Sequence, residues 1–141
     1  MRLTMQMKLG VVAAGFGLSL GALPASAHHS FAAEYDEKKP VTVTGIVRKV
    51  EWTNPHSRMY VDVKDAKGTV TVWNFEFGSP NHLFRAGWTR NTVKEGDQIT
   101  VEAWGAKDGS HLAQTRQVTL ADGRKVPGFA GGGESGGAPT Q

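Results

Sequence analysis

Between Val41 and Leu120 the chain alternates apolar and polar residues with a period of two, and turn chemistry cuts the alternation into short runs. Val41, Val43, Gly45 and Val47 alternate with Thr42, Thr44 and Ile46, and the β-branched enrichment predicts a first strand running to Trp52. At Val50 and Trp52 the apolar residues have moved from odd to even positions, which predicts a bulge or strong bend near Arg48-Lys49. Met59, Val61 and Val63 mark a second strand, and Asp65-Ala66-Lys67-Gly68 turns it into a third over Thr69 to Phe77. Ser79-Pro80 then reads as a helix cap with proline at the first helical position, and Gly87 ends a helix of one to two turns through Leu83 and Phe84. A turn at Lys94-Glu95-Gly96-Asp97 leads to a fourth strand, Ile99 to near Ala106. The turn Lys107-Asp108-Gly109-Ser110 leads to a fifth, His111 to Leu120, which ends before Asp122-Gly123.

Three strands, a short helix and two strands predict a mainly β fold: a small five-stranded OB-like Greek-key barrel with its helix between strands three and four. About 90 residues carry this pattern, close to the size at which one core becomes marginal. There are no cysteines, so the domain is held by packing alone, and Trp52, Trp73, Trp88 and Trp104 all fall inside it. At least two of them are expected in the core. The expected organisation is a signal segment over 1–27, an N-terminal arm over 28–38, the barrel over 39–126 and a disordered glycine-rich tail over 127–141.

The signal reading rests on Arg2 and Lys8, the apolar run Leu9 to Leu23, and the small residues Ala25-Ser26-Ala27. That run of about 15 residues is shorter than the roughly 20 needed to span a bilayer. The expected product is periplasmic, cleaved after Ala27 and without a stable membrane anchor. Losing Arg2 and Lys8 leaves 14 basic against 13 acidic residues, interleaved along the chain, so no nucleic-acid partner is expected.

Cleavage after Ala27 would place a free α-amine on His28, beside His29. An amine and an imidazole on one residue can chelate a single ion, and an ordinary α-amine pKa of about 7.7–8.0 makes its deprotonation cheap near neutrality. Nitrogen donors of this kind favour copper as Cu(II), ahead of nickel and zinc. His56, after Asn54-Pro55 in the first loop of the barrel, is the best internal candidate, because OB-folds bind through that loop, the loop between strands four and five, and the face between them. The expected metal set is His28, His29 and His56. His111, at the start of strand five, could approach His56 across that face, while His82 is expected at the helix surface.

The stretches Val50-Glu51-Trp52-Thr53-Asn54-Pro55-His56 and Trp73-Asn74-Phe75-Glu76-Phe77-Gly78-Ser79-Pro80-Asn81, with Gly87-Trp88 and the His28-His29-Ser30-Phe31 start, resemble a family of small exported bacterial proteins of unknown function. The resemblance implies an exported barrel and no particular reaction. In size, compartment and strand order the chain also resembles the OB-fold periplasmic copper chaperones, although Met59 and Trp52 do not align with their motif.

Trp52, Asn54, Arg58 and Glu76 are the expected ligand-binding residues, with Arg58 as the anion contact. No nucleophile elbow, His-Glu-x-x-His helix or phosphate-cradling glycine loop occurs, so a non-catalytic protein is expected. The functional expectation is a periplasmic small ligand-binding or accessory protein that takes a divalent transition metal, copper favoured. The alternative is a protein-interaction module with a cell-envelope partner.

Overall fold

The computed structural model describes residues 31–129. The expected signal segment, the His28-His29 terminus and the glycine-rich stretch from residue 130 lie outside the described residues.

The described chain runs α1 (Phe31–Glu34), β1 (Tyr35–Glu51), β2 (Arg58–Lys64), β3 (Val70–Glu76), α2 (Pro80–Arg85), β4 (Gln98–Ala106), β5 (Leu112–Thr119) and β6 (Lys125–Pro127). The sheet order is β3-β2-β1-β4-β5-β6, and a parallel pairing of β3 with β5 at Asn74–Leu112, Phe75–Ala113 and Glu76–Gln114 closes it. Five strands so closed, with α2 between β3 and β4, form an OB-like barrel.

β1 makes this closure work by serving two neighbours. Its first part pairs with β4 as far as Ile46–Gln98, and its last part pairs with β2 from Ile46–Asp62 onward. Gly45 sits at that handover, where a Cβ would lie 2.4 Å from the Asp62 carbonyl oxygen, so the close approach of β1 to β2 requires glycine. The register slips between Val47 and Lys49, where the sequence predicts a bulge. This lets Val43 and Val47 before the bulge, and Val50 after it, pack on the same core.

That core joins Val47, Met59, Val61, Phe75, Ile99, Val101, Ala113 and Val118 from the strands to Leu83 of α2 and to Trp88. α2 begins as its sequence predicts: the Ser79 hydroxyl accepts from the His82 N–H, and Pro80 opens the first turn. Gly87 follows it with φ +93°, the left-handed conformation expected just past a helix end. Of the four tryptophans, Trp88 is buried, and Trp52 and Trp73 pack against the core. Trp104 instead lies on the outer face, under the Arg116 guanidinium at 4.3 Å.

Both ends of the domain differ from the sequence reading. The expected arm is a helical turn followed directly by strand, because Tyr35 is buried and paired with Ala106. The run from Glu37 to Pro40 is exposed, so no alternation marks it as strand. At the other end β6 pairs with β5, and Gly128 is pressed so closely on Thr115 that a Cβ would meet its carbonyl oxygen at 2.3 Å. Residues 127–129 therefore belong to the packed domain rather than to a tail.

Candidate functional site

The β1–β2 loop is fixed before it reaches the site. Ser57 is buried, its N–H bonded to the Gly78 carbonyl at 3.1 Å and its carbonyl accepting from the Phe77 N–H at 2.9 Å. One residue earlier, the His56 carbonyl accepts from the Thr53 hydroxyl at 2.8 Å, and the Asn54–Pro55 peptide within this loop is cis. One residue later, Arg58 lies directly across the β2–β3 ladder from Glu76. Residues paired in this way share a face of the sheet, so the loop delivers an imidazole and a guanidinium to one carboxylate.

Glu76 is only 4% exposed, and a buried carboxylate is tolerable only when its oxygens are paired. Here Oε1 lies 3.0 Å from His56 Nδ1, while Oε2 accepts from the Tyr35 hydroxyl at 2.8 Å and from Arg58 Nη2 at 3.2 Å. A second guanidinium nitrogen of Arg58 reaches Asn74 Oδ1 at 3.4 Å. Burial, reinforced by the hydrogen bond to Glu76 and its negative charge, pushes the Tyr35 hydroxyl well above the ordinary phenol pKa and keeps it a donor. The carboxylate also selects the histidine tautomer. With Nδ1–H donated to Glu76, a neutral His56 presents Nε2 as a lone-pair acceptor.

These groups border a cavity of about 530 Å³, lined by Thr53, Asn54, Pro55 and His56 of the loop, by Arg58 and Glu76, and by Ala33 and Glu34 of α1. The β4–β5 turn holds α1 in place. The Lys107 N–H bonds the Glu34 carbonyl at 3.0 Å, the Lys107 ammonium bonds the Ala32 carbonyl, and Lys39 Nζ bonds the Lys107 carbonyl at 2.9 Å. Phe31 stacks on Tyr35 at 5.8 Å, so the N-terminal segment packs on the residue that donates to Glu76.

The structure thus gathers Asn54, His56, Arg58 and Glu76 of the expected residues around one cavity. Arg58 is committed to Glu76, and Glu76 in turn serves three donors of the protein itself. Trp52 is on the other side of the loop, stacked on Phe84 at 5.4 Å and edge-on to Trp88 at 6.3 Å. His111 contacts Trp73 edge-on at 5.0 Å and, like His82, does not line the cavity. Glu51 is bonded to Lys49 and Tyr60, apart from the Glu76 network. His28 and His29 lie outside the described residues. Among the described residues, no three His, Asp or Glu side chains are grouped to hold a metal by themselves. Sequence reasoning missed Glu34, Tyr35 and Lys107, whose contacts join positions far apart in the chain.

No curated protein matches the chain. Two crystal forms of Rim1, the mitochondrial single-stranded DNA-binding protein of S. cerevisiae, are similar to it in structure. One is 14% identical with a TM-score of 0.46, covering 59% of this chain and 94% of that one. The other is 13% identical with a TM-score of 0.46, covering 67% and 98%. The expectation that nucleic acid is excluded as a partner is corrected: nucleic-acid binding is not excluded. Its physical basis was too narrow, because single strands are held by aromatic stacking as well as by charge, and net charge does not locate a basic groove. At the level of sequence, residues 17–115 match the family of unknown function DUF6152, and the chain belongs to that family.

Proposed function

We propose that this is an exported periplasmic accessory protein that binds a divalent transition metal, with Cu(II) preferred, through the processed N terminus and His56. The observation that carries the reading is the 3.0 Å contact between His56 Nδ1 and the buried Glu76 carboxylate, beside a cavity that also borders α1. Metal-bound histidines characteristically donate their second ring nitrogen to a carboxylate, which fixes the ring and raises its basicity. His28 is three residues before Phe31, where α1 begins, so a terminus cleaved after Ala27 starts within about 10 Å of that helix even when fully extended. Its amine and imidazole would form a chelate, with His56 as a third nitrogen and His29 contributing its backbone amide or side chain. Three nitrogens in a tetragonal arrangement suit Cu(II) best among the divalent ions.

Correctly processed protein titrated with Cu(II) and followed by calorimetry and electron paramagnetic resonance is expected to show nitrogen-coordinated copper at micromolar metal. Protein retaining one residue before His28 should bind much more weakly, because its terminal amine is displaced. His56→Asn should lower affinity at least tenfold, about 1.4 kcal/mol, and should also cost about 1–3 kcal/mol of metal-free stability, because Glu76 Oε1 loses its donor. Absence of nitrogen-coordinated Cu(II) in the processed protein would overturn the metal reading. Recovery of the mature protein in the cytoplasmic rather than the periplasmic fraction would overturn the export reading.

A further inference from the structure

We propose that the open edge of β3 docks a second copy of this chain, strand against strand, antiparallel and centred on Thr71. β3 is paired with β2 along its whole length, from Arg58–Glu76 to Lys64–Val70, but β5 covers its other side only at Asn74, Phe75 and Glu76. The phase of the ladder determines which backbone groups are left. The Phe77 N–H bonds the Ser57 carbonyl at 2.9 Å and the Asp65 N–H bonds the Thr69 carbonyl at 2.9 Å, so the odd-numbered residues of this stretch turn their backbone groups toward β2. Asn74, in the even phase, gives its N–H to the His111 carbonyl on the β5 side at 2.8 Å. Val70 and Val72 share that phase but lie beyond the reach of β5, so their N–H and C=O groups face outward with no backbone partner among the described residues.

Their side chains are open as well. Val70 is 50% exposed and Val72 37%, and the row of Val72 continues across Asp62 to Ile46, itself 43% exposed, on one face of the sheet. An exposed strand edge normally carries a charge, a proline or a bulge that blocks pairing with another chain. β6, at the opposite end of the strand order, is built that way: it runs only from Lys125 to Pro127. Val70-Thr71-Val72-Trp73 has no charge and no proline, and its register with β2 is unbroken. Antiparallel pairing centred on Thr71 sets Val70 opposite the second copy's Val72, and Val72 opposite its Val70, where each pair exchanges both backbone bonds. Every outward group of the two valines is then satisfied on both copies. The exposed valines meet side by side, and no like charges are placed opposite one another. The register stops before Asn74, whose edge β5 already holds. A second copy fits because the edge is its own complement: pairing about a two-fold axis uses the same patch twice. The edge is short, so association is expected to be weak and concentration-dependent.

The test measures the mass of the processed chain by sedimentation velocity from about 1 μM to about 1 mM, comparing wild type with Val72→Lys and Thr42→Lys. Thr42 is exposed on β1, where it pairs with Glu102 of β4, so Thr42→Lys adds the same charge away from β3. Wild type is expected to rise from monomer toward dimer mass with concentration. Val72→Lys should weaken this association at least tenfold, and Thr42→Lys should leave it unchanged. A second measurement needs no variant. In wild type, amide exchange at Val70 and Val72 should slow as concentration rises, while exchange at Thr71, whose N–H is turned toward β2, should not change. A monomer at every concentration, or exchange at Val70 and Val72 that ignores concentration, overturns the proposal and leaves the edge to an extended segment of a different protein. Association that survives Val72→Lys places the contact on another face, and equal weakening by Thr42→Lys makes it an effect of net charge. Either result also overturns the proposal.

Discussion

The loop between β1 and β2 has two sides built on opposite physical principles. On one side Trp52 stacks with Phe84 and meets Trp88, which meets Phe77 edge-on at 5.5 Å. On the other, His56 and the following Arg58 converge with Tyr35 on Glu76. The aromatic side gains from excluding water, and its geometry tolerates small shifts because dispersion contacts are many and individually weak. The charged side removes a carboxylate from water, so its contribution depends on every donor being in place. A ligand site needs the second kind of construction, which fixes direction as well as position. The aromatic side holds the loop while the charged side aims it.

The largest effect is expected where the aromatic side enters the core. Trp88→Ala removes a buried indole and its hydrogen bond from Nε1 to the Pro127 carbonyl at 2.8 Å, and should cost about 3–5 kcal/mol in urea unfolding. A cost under about 1 kcal/mol would show that the aromatic cluster is not what holds the loop. Glu76→Gln keeps the shape of the hub but removes its charge, and should cost about 2 kcal/mol in the same assay, since hydrogen bonds to charged groups contribute about 1.5–3 kcal/mol. A larger cost than that of Trp88→Ala would reverse the comparison and make the charged side the structural one.

Tyr35→Phe should have the smallest effect, about 1.5 kcal/mol at neutral pH, from the loss of one hydrogen bond to the Glu76 carboxylate. The sign of its pH dependence follows from the raised Tyr35 pKa. Above the ordinary phenol pKa of about 10 the unfolded chain loses its proton while the folded chain retains it, so the contribution is complete below that pH and shrinks as pH rises. The stability difference between wild type and Tyr35→Phe should therefore be constant from neutrality to about pH 10 and narrow above it. A difference that stays constant through alkaline pH would remove the Tyr35–Glu76 bond as its source.

The aromatic side was the less legible of the two in its partners, although its residues were easily seen. Trp52 appeared in the sequence as a ligand contact within a mixed aromatic and charged face, and in the structure it stacks on Phe84 and meets Trp88 on the α2 side. On the charged side, Asn54, His56, Arg58 and Glu76 were all legible as candidates, since turn chemistry and strand alternation place them at one loop and the ends of two strands. Their division of labour was not. Alternation brings Arg58 and Glu76 to one face, but it does not say that Arg58 would be neutralised there instead of contacting a ligand. Tyr35 and Lys107 could not be found at all, because their partners are 41 and 75 residues away in the chain.

By itself the sequence determined what local physics controls. The period-two runs became β1 to β5, the apolar slip became the bulge after Val47, and Ser79-Pro80 and Gly87 bounded α2. Each of these depends on backbone conformation and on residues within a few positions of one another. The tertiary structure decided what depends on long-range closure: the parallel β3–β5 contact, the addition of β6, and the docking of α1 on the β4–β5 turn. It also decided which carboxylate is buried with three donors. A side chain's charge is written in the sequence, but its burial and its partners exist only once distant strands have met.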